Sequence, residues 1–396
     1  MAVSARRMVV HRLQYFLYQL FAYYAIFIGV TSYFYDFKRR LYKNTKWTQL
    51  IACLSNLIIV SVTISDLAWL WLDYVNEDRV TGEITQLDFT VNDIVCVVNL
   101  LQRVPRERAT KNIEQELESL TRLCQKSWAR KDKQSKQDIR RLRSIYLAKD
   151  CIMWIFTGVL SMFLIMSYEF MSMRQTKPYI EHTLVILKIL AFDSQDAIMH
   201  LHFLLSLKIC RLYMRLNSRM RELIERNSSA DALEVLHLRR LHLKLTFLME
   251  RLSSVYGVII ISTRFSLIVT TAVMGYYISI SVCLPTVYKI VCCGFYALLI
   301  LDAYILDLIL DYTINEHQKT SFLLRRHYEL DDKDTQLSRE FDEFALQLTS
   351  FPMQIKPYGL LTCSTATWLS DIACIICWMV VLIQYRIVSE KRQNNV

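Results

Sequence analysis

Eight long apolar stretches, separated by polar or basic segments, set the pattern of this chain. Each has roughly the 20 residues that an α-helix needs to cross a bilayer core about 30 Å thick. None alternates strictly between apolar and polar residues, as the strands of a membrane barrel do. The pattern therefore predicts an all-α membrane protein. The stretches cover residues 13–35, 50–74, 84–104, 147–173, 184–210, 255–282, 287–312 and 360–388.

The composition excludes an ordinary soluble fold. Of the 396 residues 53% are hydrophobic, with only 7 Gly and 5 Pro, so lipid has to cover much of the apolar surface. Most of the 11 cysteines lie within apolar stretches, where thiols act as small hydrophobes, and we expect no structural disulfide. The chain has no phosphate loop, nucleophile elbow or zinc signature. We therefore expect it not to be an enzyme and to need no cofactor or metal.

The net charge of +10 is distributed between the apolar stretches rather than over one basic surface, so we expect no nucleic acid as a partner. Lys and Arg concentrate in segments 36–49, 103–149, 211–247 and 313–357. Short loops rich in these residues stay in the cytoplasm. The N-terminus is therefore predicted to be cytoplasmic and the C-terminus extracellular, which is the reverse of a G-protein-coupled receptor.

The first apolar stretch, 13–35, admits two interpretations. Basic residues flank it on both sides, with Arg6 and Arg7 before it and the run 38–40 after it. If both flanks are cytoplasmic, the stretch is an interfacial or half-inserted helix and seven spans remain. If it crosses the membrane, a basic loop has to lie outside.

Charged amphipathic segments are predicted to extend four helical regions beyond the membrane on the cytoplasmic side. They pack together as a bundle or remain separate solvated helices; composition alone does not decide. The segments cover 111–128, 204–226, 231–254 and 337–351.

The last apolar stretch carries a recognisable motif. Cys377 and Trp378 are followed by five hydrophobic residues, 379–383, and then by Gln384 and Tyr385. This resembles the C-terminal signature of insect gustatory receptors, which is Thr-Tyr, five hydrophobic residues and Gln-Phe. Gln384 and the spacer match, whereas Trp378 and Tyr385 are aromatic replacements and Cys377 stands in place of the Thr.

The resemblance implies a ligand-gated cation channel in the plasma membrane of chemosensory neurons. It further implies a homotetramer or heterotetramer with other gustatory receptor subunits, gated by a small-molecule tastant and surrounded by membrane lipid. By analogy, a divergent motif indicates a receptor for bitter or other non-sugar compounds. The implied divisions are a cytoplasmic N-terminus with an interfacial helix (1–49), a six-helix ligand-binding domain (50–312), a cytoplasmic anchor segment (313–359), a pore-lining helix (360–388) and an extracellular tail (389–396).

By motif position, Val381 resembles the hydrophobic gate of that family, with Gln384 and Tyr385 above it towards the outside. Trp378, Val381 and Tyr385 lie at i, i+3 and i+7 on one helical face, with Gln384 on its flank. A ring of valines can close a pore by excluding water. For Gln384, a hydrogen bond between helices is an equally good interpretation.

Ionisable residues within the predicted spans are candidates for function, because charges are costly in hydrocarbon. Asp193, Asp196 and His200 fall at i, i+3 and i+7, on a face that either lines a water-filled pocket or pairs with neighbouring helices. Arg264 and Asp302 lie at similar predicted depths in antiparallel spans. We expect these two to form a buried ion pair.

Aromatic residues near the outer ends of the spans either form an interfacial belt or wall a ligand pocket. The family resemblance places such a pocket in the outer half of the helical bundle. The predicted pocket consists of Tyr168, Asp193, Asp196, His200, Tyr277 and Tyr296.

Two other functions compete with the channel. A metabotropic seven-helix chemoreceptor that signals through a G protein would have an external N-terminus. A secondary transporter would use the acidic stripe on the 184–210 span, but the chain shows no internal repeat of the kind expected.

Overall fold

Helices form nearly all of the described part of the chain in the computed structural model. The structure describes residues 16–36, 41–72, 79–127, 133–160, 178–226, 232–280, 286–328 and 335–393. Within them the helices are α1 (Phe16–Phe27), α2 (Lys46–Leu72), α3 (Arg79–Leu101), α4 (Arg103–Ser127), α5 (Lys133–Ile155), α6 (Pro178–Arg226), α7 (Ala232–Ile280), α8 (Thr286–Tyr328), α9 (Thr335–Ser350) and α10 (Thr365–Gln393), and a π-turn (Phe156–Leu160) follows α5.

The three longest helices extend well beyond a bilayer. α6 and α7 each have 49 residues and α8 has 43, so at 1.5 Å per residue they are about 73 and 65 Å long, more than twice the hydrocarbon thickness. Each combines an apolar half with a charged half. In the part of the chain that the structure describes, the segments long and apolar enough to cross a membrane are Lys46–Ser65, Ile189–Glu225, Ala232–Ile280, Lys289–Arg325 and Thr365–Ser389.

Two predicted spans are not among those five. The span in α3 is too polar, and only the beginning of the 147–173 span, at the end of α5, lies within the described residues. In α3 the polar residues Asp88, Asn92 and Asp93 are buried against neighbouring helices, so they do not meet lipid. The 147–173 span begins in α5 and continues into residues outside the described ranges.

A short β-hairpin departs from the purely helical architecture that the sequence predicted. β1 (Tyr33–Asp36) pairs antiparallel with β2 (Leu41–Asn44), with Tyr33 opposite Asn44. Four residues are too few for a period-2 pattern to stand out, and β1 overlaps the end of the first apolar stretch. The hairpin packs on α4, where the backbone N–H of Ser32 donates to Glu107 Oε1 at 2.9 Å.

α1 covers Phe16–Phe27, and these 12 residues span about 18 Å along the helix axis. The chain then turns at Gly29 into the hairpin. The residues before Phe16 lie outside the described ranges, so whether the first apolar stretch crosses the membrane stays a prediction.

The charged halves of the long helices pack with α4 and α9 around one core. Buried residues from α4, α6, α7 and α9, including Leu117, Leu216, Leu238 and Phe344, belong to a single hydrophobic cluster. An ion pair at the edge of this cluster joins α6 to α7, because Arg219 Nε and Nη2 donate to the two carboxylate oxygens of Glu234 at 2.6 and 2.7 Å. The predicted amphipathic segments therefore meet in a bundle.

One carboxyl lies inside the α4 side of this region. Burial raises the pKa of Glu114 above its ordinary value, although the charge of Lys208 acts in the opposite direction. The Nζ of Lys208 lies 3.9 Å from Glu114 Oε1 and also donates to the hydroxyl of Tyr42 at 3.2 Å. A lysine in the middle of α6 thus connects α4 to the hairpin.

Gly29→Ala is expected to destabilise the fold strongly. Gly29 has φ +77°, and a Cβ there would lie 2.7 Å from the backbone N of Asn56 and 3.0 Å from the backbone O of Ala52. Backbone atoms of α2 cannot move aside as a side chain can, so strain and overpacking add to at least about 2 kcal/mol. The thermal midpoint of the purified protein in detergent measures the loss.

Gly294→Ala is the matched control. Gly294 lies within α8, and a Cβ there would meet nothing within 4 Å. Alanine is the better helix former, so the midpoint should stay the same or rise slightly. Equal losses in the two variants would show that the Gly29 turn is not tightly packed.

Candidate functional site

A cavity of about 620 Å³ opens between α3, α6, α7 and α8. Its volume lies within the range of small-molecule sites, which are mostly apolar with a few polar groups. The helices around it supply one face each, so the cavity is framed by rigid elements rather than by loops. The aromatic side chains in its wall are Phe89, Phe156, Phe192, Tyr277, Phe295 and Tyr296.

One polar wall of the cavity is a closed hydrogen-bond network between α3 and α7. Asn92 Nδ2 donates to Asp88 Oδ1 at 2.9 Å and to Thr270 Oγ1 at 2.8 Å. Thr270 in turn donates to Asp88 Oδ1 at 2.6 Å, and Ser266 donates to Asn92 Oδ1. The carboxylate of Asp88 is therefore already satisfied from within the protein.

Arg264 does not pair with Asp302, so that prediction was wrong. Its Nη1 donates to Asp371 Oδ2 on α10 at 2.9 Å, and its Nη2 donates to Asp307 Oδ1 on α8. Asp302 pairs instead with Lys149 Nζ on α5. Asp302 and Asp307 lie five residues apart, about 7.5 Å along α8 and 140° around it, so a small error in relative helix depth changes the partner.

The structure separates the residues of the predicted pocket. Asp196, Tyr277 and Tyr296 line the cavity, together with Arg264 and Asp302. Asp193 and His200 do not line it, and Tyr168 lies outside the described residues.

The helix α1 explains why the Asp193, Asp196 and His200 face is divided. Tyr24 on α1 donates its hydroxyl hydrogen to Asp193 Oδ2 at 2.5 Å. The ring of Phe21, also on α1, packs edge-on against His200 with 4.6 Å between centroids, and His200 Nε2 lies 3.1 Å from Asp150 Oδ1. Only Asp196 is left facing the cavity.

The N-terminal half of α10 is held by polar contacts. The backbone N–H and hydroxyl of Thr365 both donate to Asp311 Oδ2, at 2.8 and 2.6 Å, which caps the helix N-terminus. Trp368 Nε1 donates to the carbonyl of Ile300 at 3.1 Å. With Asp371 bound to Arg264, this half is fixed to α7 and α8.

The C-terminal half of α10 has one packed face and one exposed face. Leu382 and Ile383 pack against a small buried cluster that contains Val273 and Tyr276 of α7. The opposite face holds four other residues of the C-terminal motif, which are exposed in the single chain: Trp378, Val381, Gln384 and Tyr385. Such an apolar face contacts lipid, packs against another subunit, or borders a narrow pore.

Sequence reasoning missed the acids that hold Arg264. Asp307 and Asp371 both lie within predicted spans, where any ionisable residue is a candidate, and the same rule would have marked them. Lys149 was assigned to a basic loop, whereas α5 carries it into the helical bundle, where its side chain is buried. These three residues pair with Arg264 and Asp302, which line the cavity.

The chain matches a family of known proteins in sequence and solved structures in fold. A family model described as 7tm Chemosensory receptor matches residues 18–389. Among solved structures, the insect olfactory receptor OR5 from Machilis hrabei superposes with a TM-score of 0.68 at 12% identity, covering 96% of this chain and 99% of that chain. OR5 in complex with eugenol gives a TM-score of 0.65 at 12% identity, covering 93% and 98%. No curated protein matches the chain.

The likeness to OR5 shows the fold, and the family match covers nearly the whole sequence. That family consists of receptors and not of enzymes. The chain belongs to the 7tm chemosensory receptor family.

Proposed function

We propose that the protein is a gustatory receptor that acts as a tastant-gated, non-selective cation channel, for bitter or other non-sugar compounds. One observation carries the proposal. Arg264 lines the ligand-sized cavity and at the same time binds Asp371 on the last helix. A small molecule in the cavity therefore reaches, through one side chain, the helix that carries the gustatory motif.

The mechanism follows from this contact. A ligand that changes the position of Arg264 changes how Asp371 is held, and α10 responds as a rigid rod. Val381 lies ten residues beyond Asp371, about 15 Å along the helix. In a tetramer, four copies of α10 around one axis place Val381 towards a pore, where a valine ring excludes water until the helices move apart or rotate.

The proposed assembly is a homotetramer or a heterotetramer with other gustatory subunits in the plasma membrane of chemosensory neurons. The exposed apolar face of α10 supports it, because the other residues that the structure describes leave that face uncovered. Eugenol is named as a ligand of OR5, which supports a small organic ligand for the cavity here. A cytoplasmic N-terminus belongs to the same proposal, whereas a metabotropic receptor would expose that end outside.

Recording from the purified protein in a planar lipid bilayer tests the proposal. We expect tastant-evoked cation current with no G protein present. Currents that appear only in cells, and only when a G protein is supplied, would instead favour the metabotropic function. Epitope tags at the two ends of the chain, stained in intact cells, give an independent reading of the topology.

Asp371→Asn is expected to reduce the evoked current at least about fivefold while ligand binding changes less than twofold, in line with typical coupling energies between sites. Arg264 keeps Asp307, so the cavity wall stays in place, but the charged link to α10 is lost. Ser370→Ala is the control, because Ser370 is exposed on the same helix turn. A normal current in Asp371→Asn would show that the signal reaches the pore by another route.

A further inference from the structure

The charges around the cavity are unequally matched. Arg264 is bound by two carboxylates, Asp307 and Asp371, and Lys149 is bound by Asp302. The charge of Arg264 is shared by two acids and that of Lys149 is matched by one, so neither cation is left to balance a further acid. The buried charge at this end of the cavity is therefore negative in excess.

Asp196 is the acid at this end of the cavity with which neither Arg264 nor Lys149 pairs. It lines the cavity, and among the residues that the structure describes it has no hydrogen-bond or ion-pair partner. The charges of Asp302 and Asp193 repel a charge on Asp196, and the attracting charge, Lys149, already pairs with Asp302. A carboxylate in this position is stabilised by an added positive charge.

Lys289 is the remaining cation in the cavity wall, and it lies at the opposite end. It precedes Asp302 by 13 residues on α8, which is about 20 Å along the helix axis. A lysine side chain cannot cover that distance. Among the described residues, the acidic end of the cavity thus has no further cation in its own wall, and a positively charged group that enters can supply one.

The rest of the wall suits the apolar part of an organic cation. Six aromatic rings face the cavity, contributed by α3, the π-turn, α6, α7 and α8. The faces of aromatic rings carry negative potential and attract ammonium groups as well as hydrocarbon. An aromatic wall around one unpaired carboxylate is the arrangement that recognises amines rather than sugars or acids.

We propose that the cavity takes a protonated organic amine with an apolar or aromatic body, whose ammonium group meets Asp196. The inference names the ligand class for the proposed receptor, and it depends on the proposed function only in that such a ligand would also open the channel. Binding itself needs only the cavity. The two statements can therefore be tested separately.

The test uses the purified receptor in detergent and two matched probes, 4-phenylbutylamine and 4-phenyl-1-butanol, which differ by one positive charge at pH 7. The thermal midpoint at increasing probe concentration gives an apparent Kd. We expect the amine to bind at least about tenfold more tightly than the alcohol, as hydrogen bonds to charged groups allow. The same pair is measured in three variants: Asp196→Asn, Asp196→Glu and Glu250→Gln.

Asp196→Asn should weaken the amine at least about tenfold and leave the alcohol within twofold, because only the charge is removed. Asp196→Glu keeps the charge and should retain amine binding within about fivefold. Glu250→Gln removes an exposed acid from the cytoplasmic half of α7 and should change neither Kd. Midpoints without probe confirm that each variant is folded.

Three results would overturn the inference: equal affinity for amine and alcohol, equal amine affinity in Asp196→Asn and Glu250→Gln, or no midpoint shift with the amine. Current measurements distinguish this failure from that of the channel. Amine binding that needs Asp196 without any evoked current would refute the channel and leave the ligand class standing. Current that only neutral compounds evoke would support the channel and refute the amine as the ligand class.

Discussion

Replacing Arg264 with leucine is expected to remove about 3 to 5 kcal/mol of stability, so that little folded receptor is recovered. The guanidinium lies between two acids, and the side chain of Asp307 is only 1% exposed. Without Arg264 both carboxylates lose their counter-charge, and Asp307 remains buried in the helical bundle, where an unpaired charge is costly. The yield of monodisperse protein and its thermal midpoint in detergent measure the effect.

The exposed residue Arg339 provides the matched control. It also pairs with an acid, with its Nε 3.3 Å from Glu343 Oε1, but its side chain is 80% exposed. Surface pairs contribute at most about 1 kcal/mol, so Arg339→Leu should leave the midpoint nearly unchanged. Equal shifts in the two variants would mean that water reaches the Arg264 cluster.

A triple variant separates the cost of unpaired charges from the cost of lost packing. Leucine at Arg264, Asp307 and Asp371 together removes the whole charged cluster instead of one partner. Buried ion groups can often be replaced by apolar side chains without loss of stability. We expect the triple variant to recover most of the folded yield while its evoked current remains low.

Val381→Ala is expected to raise the current without ligand at least about tenfold. Removing two methyl groups from each subunit widens a proposed valine ring and weakens its exclusion of water. The measurement is single-channel or macroscopic current in a ligand-free bilayer. Because Val381 is 48% exposed in the single chain, the substitution should leave folding intact.

Val380→Ala tests whether the effect belongs to that position. Val380 is 44% exposed, nearly as much as Val381, but it lies about 100° away around α10. The same loss of side-chain volume there should leave the basal current low. If both alanines leak equally, or neither does, Val381 is not the constriction.

The sequence predicted the helical membrane architecture well, because hydrocarbon thickness imposes a length on each apolar stretch. The α2, α6, α7, α8 and α10 helices contain most of each stretch expected of them, although α10 begins at Thr365 and not at residue 360. Whether the first apolar stretch crosses the membrane, which the basic residues on both flanks oppose, stays a prediction. The hairpin was not foreseen, because its strands have four residues each and lie among aromatic residues that also suit a membrane interface.

The site was predicted only in part, for a geometric reason. Periodicity places Asp193, Asp196 and His200 on one face, but it does not say which neighbour covers which turn of that face. Here α1 covers Asp193 and His200 and leaves Asp196 open. The partner of Arg264 depended on the depth of α7 relative to α8, and one sequence gives that depth only to within a helical turn.

The uninterrupted length of α6, α7 and α8 has a mechanical consequence. Each runs as a single helix from the cavity wall into the bundle formed with α4 and α9, and long helices without breaks curve only gently. A tilt of such a helix at one end displaces the other end in proportion. The position of the bundle and the shape of the cavity are therefore mechanically linked.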